Sequence, residues 1–285
     1  MRLATFTQDG RTRIGKVLGD EVLDLSVACP QLPTRMVDFL AAGETALAQA
    51  RAAQAGPRHR LADVRLEAPV PQPQKFLGIG LNYEDHAEEA RQAGIKIPEH
   101  QVWFSKLNSC ICGPFDDVVK PAFSEQFDYE VELGAVIGRR CKNVAAADAL
   151  SVIAGYTVCN DLTVRDWQHR TPQWTLGKSF DTHGPFGPWI VTADEIADPQ
   201  DLTIRLFVNG ELRQQASTRL MIHSIAAQIE LLSRAVTLEA GDVIATGTCS
   251  GVAVGMKPQR FLQVGDVVRA EIDAVGAIEN RVIAA

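Results

Sequence analysis

The clearest alternation of apolar and polar positions in this chain is "FDYEVELGAVIG", residues 127–138. A period of two predicts a strand. Tyr129, Val131, Leu133, Ala135 and Ile137 share one face; Asp128, Glu130, Glu132, Gly134 and Val136 share the other. Same-face neighbours on a strand sit about 7 Å apart. Three acids that close repel one another unless water or a cation stands between them. A strand that wets one acidic face needs no function beyond solubility. Here, though, the acidic face runs on into Gly134 and Val136, and no Lys or Arg interleaves. The strand alone leaves both readings open.

Similar patterning lays out the rest. Residues 1–28 read as short strands with turn signals at "QDG" and "LGDE". A helix follows from Thr34, with "ETALAQARAAQA" as its continuation or as a second helix. Prolines 69, 71 and 73 in "APVPQPQK" predict an extended connector, and a domain boundary is placed there: 1–70 a small N-terminal α/β domain, 71–285 the main one. Beyond it, "KFLGIGLNY" is a buried strand running into a loop, and "YEDHAEEARQAG" a helix ending at Gly94. "TIRLFVNGELRQ" is a hairpin turning at Asn209-Gly210. A helix starts near Ser224, and strands follow in "GDVIATGT" and "GDVVRAEIDAVGAIENRVI", the last bent at Gly276. Few helices interrupt the strands, so the expected class is α+β, mostly β: a mixed β-roll or barrel-like domain rather than a doubly wound parallel sheet.

Composition narrows the function. With 28 Lys plus Arg against 35 Asp plus Glu, the net charge of −7 argues against nucleic acid or an anionic membrane as partner. "MRLATFTQDG" has no apolar core segment, so no secretory leader is expected. The six cysteines form no C-x-x-C pair, which argues against zinc and for a reducing cytoplasm.

Chemistry gathers in a few places. "YTVCNDLTVRDWQ" ends an apolar run at Asp161. Glu130, Glu132 and Asp161 together offer three hard oxygen donors, a set for Mg²⁺, Mn²⁺ or Ca²⁺; taken alone, Asp161 is equally a turn residue. Lys178 in "LGKSF" and Lys106 in "WFSKL" are buried counter-charges or lysines that snorkel to the surface. His86 and Glu89 lie three apart on the predicted helix, as a base and its orienting carboxylate do, and as ordinary surface pairs also do. "ATGTCSGV" is a small-residue loop that lets a ligand approach the backbone, but it lacks the lysine of a phosphate loop.

These segments occur in a telling order: "G-x-N-Y-x-x-H", "E-x-E-L", "N-D-x-T-x-R-D", "G-K-S-F-D", "V-N-G-E-L-R-Q", "T-G-T" and "K-P-x-x-F-L-x-x-G-D". The chain resembles the fumarylacetoacetate hydrolase family from about Lys75 to its end, and its first part is similar to the small extra domain of longer bacterial members. The resemblance implies a mixed β-roll that pairs as a homodimer or dimer of dimers. It implies Glu130, Glu132 and Asp161 as ligands of Mg²⁺ or Mn²⁺, His86 and Glu89 as the pair that activates water, and Lys178 as a catalytic lysine at the substrate oxygens. Lys106, Arg165, Gln168 and Thr248 are implied as substrate contacts. The implied activity is metal-dependent hydrolysis of a C–C bond in a 2,4-dioxo acid, of acylpyruvate or diketo-deoxy sugar acid type. The products are a pyruvate-like 2-oxo acid and a carboxylic acid. Decarboxylation of oxaloacetate-like acids, or isomerisation of unsaturated 2-oxo diacids, fits the same site. A cation-stabilised binding module without catalysis is the alternative of another class. Residues 84–102 are expected to act as a lid. Cys249 replaces the usual proline of T-G-T-P and His183 an apolar residue, both expected to border the pocket.

Overall fold

The computed structural model describes residues 1–92, 94 and 96–285. The expected lid spans Ala93 and Ile95, which lie outside the described residues. The chain is mostly β, with mixed, open sheets. The larger sheet runs, edge to edge, through Arg58–Arg60, Glu21–Asp24, Arg11–Leu18, Arg2–Gln8, Gly184–Thr192, Ile153–Asn160, Val131–Ile137, Val243–Ala245, Phe76–Gly80 and Val102–Lys106. The second contains Glu211–Ser217, Thr203–Val208, Val267–Ile272, Gly276–Ala284 and Val118–Lys120. The proline-bearing connector therefore joins strands of one hydrogen-bonded sheet: Arg2 pairs with Val191 and Leu3 with Ile190.

The predicted local signals act as their chemistry requires. Asn209 and Gly210 both take positive φ, 52° and 79°, turning the hairpin between Thr203–Val208 and Glu211–Ser217. Ser224 caps the helix Ile225–Ala235 by accepting from the Ala227 N–H at 3.2 Å, and Ile225, Ile229 and Leu232 bury one stripe of it.

The strand Val131–Ile137 sits near the middle of the larger sheet and is buried on both faces. Its parity is the predicted one. Tyr129, Val131, Leu133, Ala135 and Ile137 face a core shared with Ile204, Leu206, Val268 and Ile278 of the second sheet. Val136 faces a second core under the helices Met36–Ala41 and Gly43–Ala52, which supply Met36, Phe39 and Ala46. The solvated acidic face does not exist: Asp128, Glu130 and Glu132 are 0%, 4% and 1% exposed.

Candidate active site

Three carboxylates meet because two strand ends meet. Val131 is opposite Asn160 in the antiparallel ladder, so Glu130 just before one strand lies beside Asp161 just after the other. The Asp161 N–H donates to the Glu130 carbonyl at 2.9 Å, and the Glu130 N–H to Asn160 Oδ1 at 3.0 Å. Glu132 is one alternation further along the same face. One carboxylate oxygen from each of the three lies within 4.8 Å of the others.

Cations surround two of the three. Lys178 Nζ donates to Glu130 Oε2 at 2.5 Å and to Asp161 Oδ2 at 2.7 Å. Lys106 Nζ donates to Asp161 Oδ1 at 2.6 Å and also to the Lys178 carbonyl. Arg165 Nη2 lies 2.7 Å from Glu130 Oε1, an ion pair without hydrogen-bond alignment. Burial alone would push the Glu130 carboxyl up; Lys178 and Arg165 outweigh it and hold it down at about 2. Glu132 differs. Burial first, then Asp161 and Glu130, drive its carboxyl well above the usual range, and among the described residues that carboxyl accepts one hydrogen bond, from the Gly247 N–H at 2.7 Å. Four buried acids, Asp128 included, thus face three cations, and Glu132 is the acid left without a cation partner among the described residues. All-oxygen donors with surplus negative charge fit a hard divalent cation.

The opposite wall comes from the helix Glu84–Gln92 and the loop after Ala245. His86 Nδ1 and Glu89 Oε2 are 2.9 Å apart, which leaves Nε2 without a partner among the described residues. The helix is pinned to the loop: Ser250 Oγ donates to Asp85 Oδ2 at 2.8 Å and the Gly251 N–H to Glu89 Oε1 at 3.3 Å. A Cβ on Gly255 would fall 2.2 Å from Glu89 Oε1, so only glycine seats that carboxylate. Between the walls lies a cavity of about 230 Å³, bordered by His86, Glu89, Glu130, Glu132, Arg165, Gln168, Lys178 and Thr248.

Four sequence-predicted residues lie off the cavity wall. Lys106 is fully buried behind Asp161, away from the cavity wall, with its ammonium taken by Asp161 and a carbonyl. Asp161 sits beneath the same wall, beside Lys178. Cys249 and His183 do not border the cavity, contrary to expectation. Cys249 is buried beside Gln214. His183 stacks on Phe127, with ring centroids 4.4 Å apart, and Nε2 is 2.8 Å from the Val119 carbonyl.

Several site residues escaped the sequence reading. Trp174 closes one side against Gly80, where a Cβ would fall 2.2 Å from the indole ring, and Val252 and Val254 close another. Gln214, from the second sheet, accepts from the Val131 N–H at 3.0 Å and donates to Thr248 Oγ1 at 2.8 Å. Its signal lay unread in the quoted "VNGELRQ": Gln214 falls on the inward parity of its strand.

The model of the fumarylacetoacetate hydrolase C-terminal domain matches residues 75–283. The chain belongs to the fumarylacetoacetate hydrolase family. It is similar to the mitochondrial oxaloacetate tautomerase Fahd2a of Rattus norvegicus, 44% identical over 290 residues, covering 99% of this chain and 92% of that protein. Among solved structures it is similar to the fumarylacetoacetate hydrolase of Exiguobacterium antarcticum, with a TM-score of 0.86, 39% identity and full coverage of both chains. It is also similar to the maleylpyruvate hydrolase of Sphingobium sp. SYK-6 in complex with manganese(II) and pyruvate, with a TM-score of 0.83, 36% identity, and coverage of 100% of this chain and 99% of that one. The family is one of enzymes whose members include hydrolases and a tautomerase. Among the described residues no helix is long and apolar enough to cross a membrane.

Proposed function

We propose that this chain interconverts the keto and enol forms of a short 2-oxo diacid of the oxaloacetate kind, with a divalent cation held by Glu130, Glu132 and Asp161. The observation that carries this reading is a small cavity with an acidic floor and, on its wall, His86 oriented by Glu89. At about 230 Å³ it suits an acid of four or five carbons better than a drug-sized ligand. The 44% identity to an oxaloacetate tautomerase supports the choice of substrate.

Mg²⁺ or Mn²⁺ would supply Lewis acidity for charge developing on the 2-oxo oxygen. Glu89 accepts the Nδ1 proton of His86 and leaves the Nε2 lone pair for the substrate. His86 takes a proton from carbon 3 and returns one there in the reverse direction. The proton His86 has gained then passes to the 2-oxo oxygen, which restores the neutral imidazole, so no water is consumed. Lys178 places a positive charge where the oxygen gains electrons. The Arg165 contact fixes the Gln168 amide, since Nη1 donates to its Oε1 at 3.0 Å and leaves its NH₂ for the ligand.

Hydrolysis of a 2,4-dioxo acid is the second reading. It is favoured by the same His86–Glu89 pair, which is equally suited to activate water, and by the 36% identity to a maleylpyruvate hydrolase. The deciding experiment follows enol absorbance of oxaloacetate, and products from a short 2,4-dioxo acid, with Mn²⁺ and with chelator. Faster, chelator-sensitive decay of the enol, lost in His86→Gln, supports the first reading. Pyruvate and a carboxylic acid from the dioxo compound alone support the second. Silence with both substrates overturns both.

We also infer a homodimer, supported by Phe123, 62% exposed beside Trp167 with ring centroids 5.4 Å apart and planes tilted by 45°, and tested by sedimentation. A cytoplasmic location is supported by six unpaired cysteines, and cell fractionation tests it against the mitochondrial address in the relative's name.

A further inference from the structure

One buried carboxylate has no part in the proposed chemistry. Asp128 is fully shielded from solvent, yet it is not among the three acids that converge on the cation position. Each of its oxygens accepts from two donors. Oδ1 takes the N–H groups of Tyr129 and Ala253, both at 2.8 Å. Oδ2 takes Arg165 Nε at 2.8 Å and the Val254 N–H at 3.0 Å.

Those donors lead to opposite sides of the cavity. Arg165 continues to Glu130 on the floor, 2.7 Å away, and to Gln168. Ala253 and Val254 belong to the loop whose neighbours Val252 and Gly255 line the cavity, and Gly251 and Gly255 seat Glu89. Asp128 therefore ties the floor to the wall that carries the base's partner.

We propose that Asp128 is a positioning residue with two effects. It sets how much of the Arg165 charge falls on Glu130, and it holds the loop against which Glu89 orients His86. The first effect rests on the reading of Glu130, Glu132 and Asp161 as cation ligands; the second does not. Asparagine cannot substitute. It has the same shape, but whichever way its amide turns, an NH₂ faces two donors: Tyr129 and Ala253, or Arg165 and Val254. The sign of the cation effect follows. With residue 128 neutral, the guanidinium pairs with Glu130 alone and opposes a cation there more strongly.

The test is Mn²⁺ titration by calorimetry on the full chain, together with amide exchange at residues 253 and 254 in chelator. Wild type, Asp128→Asn and D128N/R165M are compared. Asp128→Asn is expected to weaken Mn²⁺ binding about tenfold and to speed exchange at both amides. It should lower kcat more than it raises KM, because His86 loses its fixed orientation. D128N/R165M, with the competing guanidinium gone, is expected to bind Mn²⁺ at least as tightly as wild type. A merely structural role predicts a lower melting temperature without this reversal. Wild-type Mn²⁺ affinity in Asp128→Asn, or no recovery in the double variant, overturns the charge effect; wild-type exchange overturns the loop effect. Should Asp128→Asn fail to fold, the double variant decides, and binding weaker than wild type refutes the proposal. If the wild type takes up no Mn²⁺, the cation reading itself falls, and exchange at 253 and 254 alone decides whether Asp128 holds the loop.

Discussion

Glu130 and Glu132 stand two residues apart on one face, and the structure assigns them opposite effects on the stability of the cation-free protein. Glu130 is paired with Lys178 at 2.5 Å and Arg165 at 2.7 Å. Held at about 2 rather than the ordinary 4.5, its carboxylate contributes on the order of 3 kcal/mol at neutral pH. Its native value is depressed, so that stability is present above pH 4.5 and lost as pH falls toward 2. Among the described residues Glu132 has no cation partner, and its native value is raised by burial, Asp161 and Glu130. The native state then binds more protons than the unfolded chain, and stability falls as pH rises through and above the ordinary glutamate range. Glu130→Gln should lower the melting temperature in chelator at neutral pH by roughly 5–10 °C. Glu132→Gln keeps an oxygen for the Gly247 N–H and removes a carboxyl that burial forces to stay protonated, so it should raise the melting temperature by roughly 2–4 °C. Both should lose the rise that Mn²⁺ gives the wild type, about 2.7 kcal/mol at a hundredfold excess over Kd. The assay is differential scanning calorimetry with chelator and with Mn²⁺. If the two variants shift the same way in chelator, the assignment of Glu132 as the acid without a cation partner is wrong.

Three further outcomes follow from the geometry. Burial drives His183 down to about 3, so it is neutral in the native state; the stability it confers is complete above pH 6.5 and falls by about 1.4 kcal/mol per pH unit below that. His183→Gln should flatten the acid side of a plot of denaturant midpoint against pH, and a slope parallel to wild type would refute this. Gly255→Ala should cut turnover at least tenfold by displacing Glu89 while moving the melting temperature by only a few degrees, read by steady-state kinetics and thermal melting. His86→Gln should lower kcat by about 10²–10⁴ with Mn²⁺ affinity unchanged in calorimetry; weakened Mn²⁺ binding would mean that His86 supports the cation floor.

Much of this site was legible because its parts are local. The two-residue period of 127–138 set which side chains go together, and the His86–Glu89 spacing put both on one helix face. Asn209-Gly210 and Ser224 carry their own backbone instructions. What covers each face was not local. The acidic face is enclosed by Lys178, Arg165 and the Gly247 loop, all distant in the chain, and a periodicity records only that two faces differ. Gln214 arrives from another sheet and Trp174 from a loop, so neither sits inside a pattern that names its neighbours. Cys249 and His183 were expected at the pocket because they depart from the family pattern. Both are instead buried in packing beside it, where a substitution answers to neighbours rather than to a ligand.

The shared sheet also has a consequence for how the chain is made. Arg2–Gln8 pairs on one side with Arg11–Leu18, which a ribosome supplies at once, and on the other with Gly184–Thr192, supplied nearly two-thirds of the chain later. Arg65–Leu66 covers that edge at Phe6 and Thr7 early on, but its Arg2–Leu3 end stays open throughout the interval, and open edges recruit whatever strand is near. The pairing that joins the N-terminal strands to the rest of the larger sheet therefore becomes available only when Gly184–Thr192 has been made, and Val243–Ala245, which links Val131–Ile137 to Phe76–Gly80, comes later still. Nascent chains stalled before Thr192 would be the sticky ones, however well their first strands are formed.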